Sequence, residues 1–206
     1  MDLLEILSFK KRTIDYSLDK MEEAYNIIFP KIEKGEKKVV TGSNIGESAW
    51  LISCYGEYFF LEVTSFFDAL ARNLTKNQDP KKDIHFHRWI GCQYKNNKND
   101  DFICYLKQQL DNWYRDFKKI RNTIAHQSHL YYEIDKILHI DFKTGEKVEF
   151  ETCTMRIGEN NIELVDYCKD IQEKLEDMIA FIENNNYWKT ALRCFVWVPC
   201  STMSTT

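Results

Sequence analysis

Four long stretches of this chain repeat apolar residues every third or fourth position, and none is apolar all the way round. Each therefore reads as a helix with one face that water penalises, and such helices hide their stripes only against one another. In the first, Leu7, Ile14, Leu18, Met21, Tyr25 and Ile28 share a face ahead of Pro30, whose ring and missing amide proton stop a helix. In the second, Ile52, Tyr55, Phe59, Val63, Phe66, Leu70 and Leu74 align. Asn44 and Glu47 are spaced as a capping pair at its start, and Asp79-Pro80 stands at its end. The third carries Ile103, Leu106, Leu110, Trp113, Phe117, Ile120 and Ile124. The fourth carries Leu164, Cys168, Ile171, Leu175, Met178 and Ile182, and Asn184-Asn185-Asn186 closes it.

Between the third and fourth helices the period drops to two. Leu138, Ile140 and Phe142 alternate with polar neighbours, as do Val148 and Phe150, and Thr144-Gly145 stands between the runs. This pattern predicts a β-hairpin over about residues 131–157. The stretch from Lys81 to Asn99, polar and rich in Asn and Lys around Trp89-Ile90, reads as a long loop with one short turn. The expected fold is all-α: an up-and-down bundle of four long helices with an inserted hairpin, in one domain over 1–184, followed by a tail over 185–206.

Composition narrows the function classes. At 206 residues and 44% hydrophobic the chain can bury a real core. A net charge of −4 gives no general attraction for polyanions, so any nucleic-acid contact must come from a local basic patch. No run approaches the roughly 20 apolar residues of a membrane span. Met1 to Arg12 is too short in apolar residues to read as a secretory signal. A soluble cytoplasmic protein without a membrane partner is expected. The seven cysteines are odd in number, irregularly spaced and free of any Cys-x-x-Cys pair, which predicts reduced thiols rather than a disulfide framework or a zinc site. His85-Phe86-His87 would put two imidazoles on one side of a strand near Cys92, but no further ligands follow at metal spacing, so no metal or other cofactor is expected.

The chemistry concentrates at the end of the third helix, in Arg121-Asn122-Thr123-Ile124-Ala125-His126. Phe117, Arg121 and Ile124 fall nearly on one line of a helical wheel, which puts Arg121 at the border of the buried stripe. A guanidinium there needs a partner. Glu62, on the seam between Phe59 and Phe66, is expected to approach Arg121 or to orient His126, whereas Glu57 and Asp68 point away. An imidazole, with its ordinary pKa of about 6.5, moves protons at neutral pH. Arginine stays charged and holds two phosphate oxygens at once. Together they suffice for attack of a ribose 2′-hydroxyl on its own phosphodiester without a metal. Asn122 can bond the phosphate or fix the helix end. Five residues separate Arg121 from His126, about 140° round a helix. Both reach one phosphate only if the helix ends near Ala125, which Gln127, Ser128 and His129 favour as the exit from it, or if a second subunit completes the site. Lys107, Arg115, Lys118 and Lys119, beside Trp113 and Tyr114, offer charge and stacking for RNA, and equally a solvated helix face.

In Arg121, Asn122 and His126, placed at the end of the third long helix, the sequence resembles the HEPN superfamily. Its ribonuclease members carry Arg-x4–6-His, often with Asn directly after the Arg. The resemblance covers the helical core from about Leu3 to Asn184 and implies a HEPN-like bundle in which two copies form one composite cleft for metal-independent RNA cleavage. It also implies a toxin or antiviral defence setting, with an antitoxin or nucleotidyltransferase as a possible partner. Toxins of the superfamily that are silenced by tyrosine modification have His-x-Tyr. Here Gln127 and Ser128 follow the histidine, and Tyr131 and Tyr132 come later. The other reading of the same bundle face is a non-catalytic module that dimerises or holds a nucleotidyltransferase.

Overall fold

A computed structural model of the chain describes residues 2–28, 42–75, 84–127, 131–139, 147–157 and 160–187; the described side chains exclude those of 28, 42–45, 125–127, 131–139, 147–157 and 160–161. In chain order the elements are α1 (Leu3–Ile28), α2 (Gly42–Leu74), α3 (Phe86–Asn96), α4 (Asp101–Gln109), a π-helical segment (Leu110–Tyr114), α5 (Arg115–Gln127), β1 (Tyr131–His139), β2 (Lys147–Ile157), β3 (Asn160–Glu163) and α6 (Leu164–Asn184). The described residues are mostly helical. Among them, no helix is long and apolar enough to cross a membrane. Pro30, the Asn44 cap and Asp79-Pro80 lie outside the described residues or side chains, as does the turn expected at Thr144-Gly145.

The chain divides into two compact units. The first comprises Met1–Arg12, Glu62–Lys119 and Lys174–Thr206; the second comprises Thr13–Leu61 and Ile120–Glu173. In the first unit, Leu7, then Val63, Phe66, Leu70 and Leu74, and then Ile103, Leu106 and Phe117 are buried, as the helical period predicts, and Leu3, Phe67 and Phe102 are buried beside them. An aromatic centre ties three elements together. Phe67 lies 4.7 Å from Phe86, 5.4 Å from Trp113 and 4.2 Å from Tyr114 between ring centroids. At the edge of the unit Tyr105 stacks on Phe181 and Phe102 on Tyr187.

Helix starts in this unit are closed by side chains. Asp2 and Glu5 bond reciprocally to each other's backbone N–H at 2.8 and 2.9 Å, a capping box at the head of α1. Asp100 caps α4 by accepting from the Ile103 N–H at 2.9 Å. Asp100→Ala should cost about 1 kcal/mol, read as a lower urea midpoint at unchanged slope. An unchanged midpoint would remove the cap from the account of α4.

Two expectations need correction here. The stretch from Lys81 to Asn99 is not a long loop, because Phe86 to Asn96 is helix and buries Phe86, Trp89, Ile90 and Gln93 at i, i+3, i+4 and i+7. His85 and His87 accordingly stand at the head of a helix and not along a strand. The third long helix is also interrupted. At Leu110–Tyr114 the backbone takes π geometry, and the Arg115 N–H bonds the Leu110 carbonyl five residues back. The wider turn lets the consecutive Trp113 and Tyr114 both reach the core.

In the second unit α1 contributes Ile14, Leu18, Met21 and Ala24, α2 contributes Ile52, Phe59 and Phe60, and α6 contributes Leu164, Val165, Cys168 and Ile171. Phe60 stacks on Tyr167, Gln172 donates to Asp15 at 2.7 Å, and Lys169 pairs with Glu22 at 2.5 Å. The strands form an antiparallel sheet in the order β1-β2-β3. Tyr131 faces Arg156 and His139 faces Lys147, with a register shift between Ile134 and Lys136. The third strand, at Asn160–Glu163, carries no alternation long enough to be read from sequence. On the outside of α2, Trp50, Cys54, Tyr58 and Leu61 are exposed at near-helical spacing.

The cysteines depart from the expectation of uniformly reduced thiols. Cys54, Cys104 and Cys168 are free, but Cys92 is disulfide-bonded. Burial pushes the Cys168 thiol well above its usual range, so it packs as a small apolar group.

Candidate functional site

Arg121 and Asn122 lie on α5 within the second unit, both half-buried. The guanidinium Nη1 donates to the Asn122 side-chain oxygen at 3.3 Å, a long hydrogen bond. Arg121 Nε is buried, with no hydrogen-bond partner among the described residues. A guanidinium carries five N–H donors, and a buried one left unbonded costs stability.

His126 belongs to α5 by its backbone, and its side chain lies outside those described. The helix runs to Gln127, two residues past Ala125. Residues 121 and 126 keep their helical offset of about 140°.

Glu62, in the first unit, meets Lys10 of α1 at 3.0 Å, and both are mostly buried. The carboxylate expected to approach Arg121 is engaged there by an ammonium. Among the basic residues expected to hold RNA, Arg115 pairs with Asp111 at 3.0 Å and Lys119 with Asp116 at 2.6 Å; Lys107 also pairs with Asp111. These one-turn pairs answer charge with charge along the helix face. Trp113 and Tyr114 cannot stack on bases, because both are buried in the aromatic centre; Trp113 donates its indole N–H to Gln109 at 2.8 Å. Lys118 instead reaches His87 of α3, at 2.6 Å from Nδ1.

That contact leads to residues the sequence pattern does not single out. Asp68, expected to point away, accepts from the Phe86 N–H at 2.9 Å and lies 3.3 Å from His85 Nδ1. Burial first, then Lys118, His85 and Arg88, pulls the His87 pKa from its ordinary value down to about 4, with Asp68 opposing. The unfolded chain therefore binds more protons than the folded one between about pH 6.5 and 4, and stability falls as pH drops through that window. Urea midpoints at pH 7 and 4.5 should differ less for His87→Gln than for the wild-type chain; an equal difference would place the acid sensitivity elsewhere.

Among the described residues, no group of three or more His, Cys, Asp or Glu side chains is arranged to hold a metal. Comparison with known proteins finds no matching family model, curated protein or solved structure.

Proposed function

We propose that the chain is a metal-independent endoribonuclease of HEPN type, in which a homodimer completes each site with Arg121 from one protomer and His126 from the other. The observation that carries this reading is the half-buried Arg121, whose Nη1 bonds Asn122 while its buried Nε has no hydrogen-bond partner among the described residues. The run of α5 through Gln127 favours the two-protomer form, because one helix sends the two side chains about 140° apart. His126 takes the proton from the ribose 2′-hydroxyl, whose oxygen then bonds to the adjacent phosphorus. The 5′-oxygen leaves and is protonated, and a 2′,3′-cyclic phosphate remains. Arg121 holds the charge that gathers on the phosphoryl oxygens. A toxin or antiviral role in the cytoplasm, with an antitoxin or nucleotidyltransferase partner, extends the same resemblance.

Subunit mixing tests the two-protomer site. Arg121→Ala and His126→Ala proteins are each expected to be inactive. In a mixed dimer one site draws Arg121 and His126 from opposite chains and is intact, so a one-to-one mixture should recover about a quarter of wild-type activity. The products should end in cyclic phosphate, and chelation by EDTA should leave the rate unchanged. Full activity in both single variants would end the nuclease reading. Inactive singles with no recovery on mixing would end the two-protomer site alone.

The exposed row Trp50, Tyr58 and Leu61 on α2 favours a second reading, a non-catalytic module that dimerises or binds a nucleotidyltransferase partner. Growth arrest on producing the wild-type chain but not His126→Ala would decide for the nuclease.

A further inference from the structure

Within the second unit, helix α2 is apolar on two opposite faces. Ile52 and Phe59 are buried in the core; Leu61 follows Ile52 by nine residues and Trp50 precedes Phe59 by nine, which puts both about 180° round the helix. Trp50 is 64% exposed and Leu61 47%, and the exposed Cys54 and Tyr58 complete the row between them. Helix α1 continues the surface. Its exposed Tyr16 meets Tyr55 of α2 edge to face at 6.3 Å, and Ile27 is exposed on the same side of α1, about three turns on. Exposed apolar rows with a polar rim mark contact surfaces.

The charge on that rim is of one sign. Residues 13–28 and 42–61, the parts of α1 and α2 in this unit, hold six carboxylates and a single cation, Lys20. Lys20 is half-buried, pairs with Glu23 at 2.5 Å and lies over the Tyr16 ring. Glu22 and Asp15 are turned to α6, where Lys169 and Gln172 meet them. On the outside, the exposed charged residues among the described side chains of the two segments are Asp19, Glu23 and Glu47, and all three are acids.

We infer that this face of α1 and α2 docks a basic amphipathic helix of another protein. The row from Trp50 to Leu61 is about 16 Å long, which three turns of a partner helix cover with apolar anchors at i, i+4 and i+7. Lysines or arginines beside those anchors meet Asp19, Glu23 and Glu47, so the charge that rims the row selects the sign of its partner. A second copy of the chain fits less well, because it doubles the negative charge at the contact and brings no cation to answer it. An RNA strand fits less well too. The exposed rings offer stacking, but the phosphates of the strand meet carboxylates. The inference uses neither Arg121 nor His126, and it holds whether or not the chain cuts RNA.

The test titrates the full chain into two dye-labelled synthetic helical peptides and reads fluorescence anisotropy. Both peptides carry leucine at i, i+3, i+4 and i+7 spacing; one has lysine at the remaining positions and the other glutamate. The lysine peptide should bind saturably and the glutamate peptide should not. Trp50→Ala should weaken the binding by about tenfold or more, the loss of an aromatic anchor, with the circular dichroism unchanged because the side chain is exposed. Glu47→Lys should weaken it and flatten its salt dependence. Glu183→Lys, the same change of charge at the exposed end of α6, should not, and Arg121→Ala should leave it unchanged. A lysine peptide that the wild-type chain does not bind, or that binds Trp50→Ala as tightly, would overturn the inference. So would a wild-type dimer that Trp50→Ala separates in sedimentation, which assigns the face to a second copy. A labelled oligouridylate that binds the wild-type chain but not Trp50→Ala would overturn it in favour of RNA.

Discussion

His126→Ala should slow RNA cleavage by about 10²–10⁴-fold, the contribution of a positioned proton-transfer group, while the far-ultraviolet circular dichroism stays the same. The reaction asks one group to accept a proton from a weak acid, the ribose hydroxyl, and asks for a proton at the departing oxygen. Alanine does neither. The backbone at this position is helical, and alanine is the best helix former, so the substitution should not unwind α5. His126→Gln separates the chemistry from bonding alone, because an amide holds a phosphate but does not shuttle protons near neutral pH. Both variants should fail alike, measured as initial rates under single-turnover conditions. A glutamine variant at wild-type speed would show that position 126 binds and does not react.

The second large effect concerns stability. Phe67→Ala should cost about 3–5 kcal/mol, a large share of the roughly 5–15 kcal/mol that holds a natural domain together. Phe67 is fully buried and touches the rings of Phe66, Phe86, Trp113 and Tyr114. Its removal leaves a void lined by groups that α3 and the π-helical segment hold in place, so the walls have little room to close in. Phe67→Leu keeps most of the volume and should cost only about 1–1.5 kcal/mol. Equilibrium urea unfolding reads both. A loss below about 1 kcal/mol for the alanine variant would mean that the aromatic centre does not hold the first unit together.

The legible parts of the fold are those with long, regular periodicity. The buried positions of α1, α2 and α6, among them Leu7, Ile14, Phe59, Phe66, Leu175 and Ile182, follow directly from spacing. The helix α3 escaped because only three large apolar residues mark it, Gln93 occupies one of its buried positions, and the cap at its head comes from Asp68, well upstream. The π-helical segment escaped because one extra residue in a turn changes the apolar spacing too little to notice in a stripe of this length. For the site, periodicity placed Arg121 at the border of burial, where it is half-buried. It also placed Glu62 on a seam, but spacing within one helix says nothing of which cation another helix brings, and that cation is Lys10. The approach of Lys118 to His87 joins positions 31 apart and was closed to any local reading.

The five residues Leu110–Tyr114 act as an index mark for the helix that continues from them. Because the Arg115 amide skips back to Leu110, the chain carries one residue more than an ordinary turn would hold. Taking a single residue out of that segment would restore an ordinary turn and leave Lys118 facing the imidazole it meets, whereas taking one out of the regular turn between Arg115 and Lys118 would turn Lys118 by about 100° and draw it along the axis by about 1.5 Å. The wide turn thus takes up a surplus residue without passing a rotation on to the helix beyond it, and it tolerates a shortening that the regular turns on either side do not.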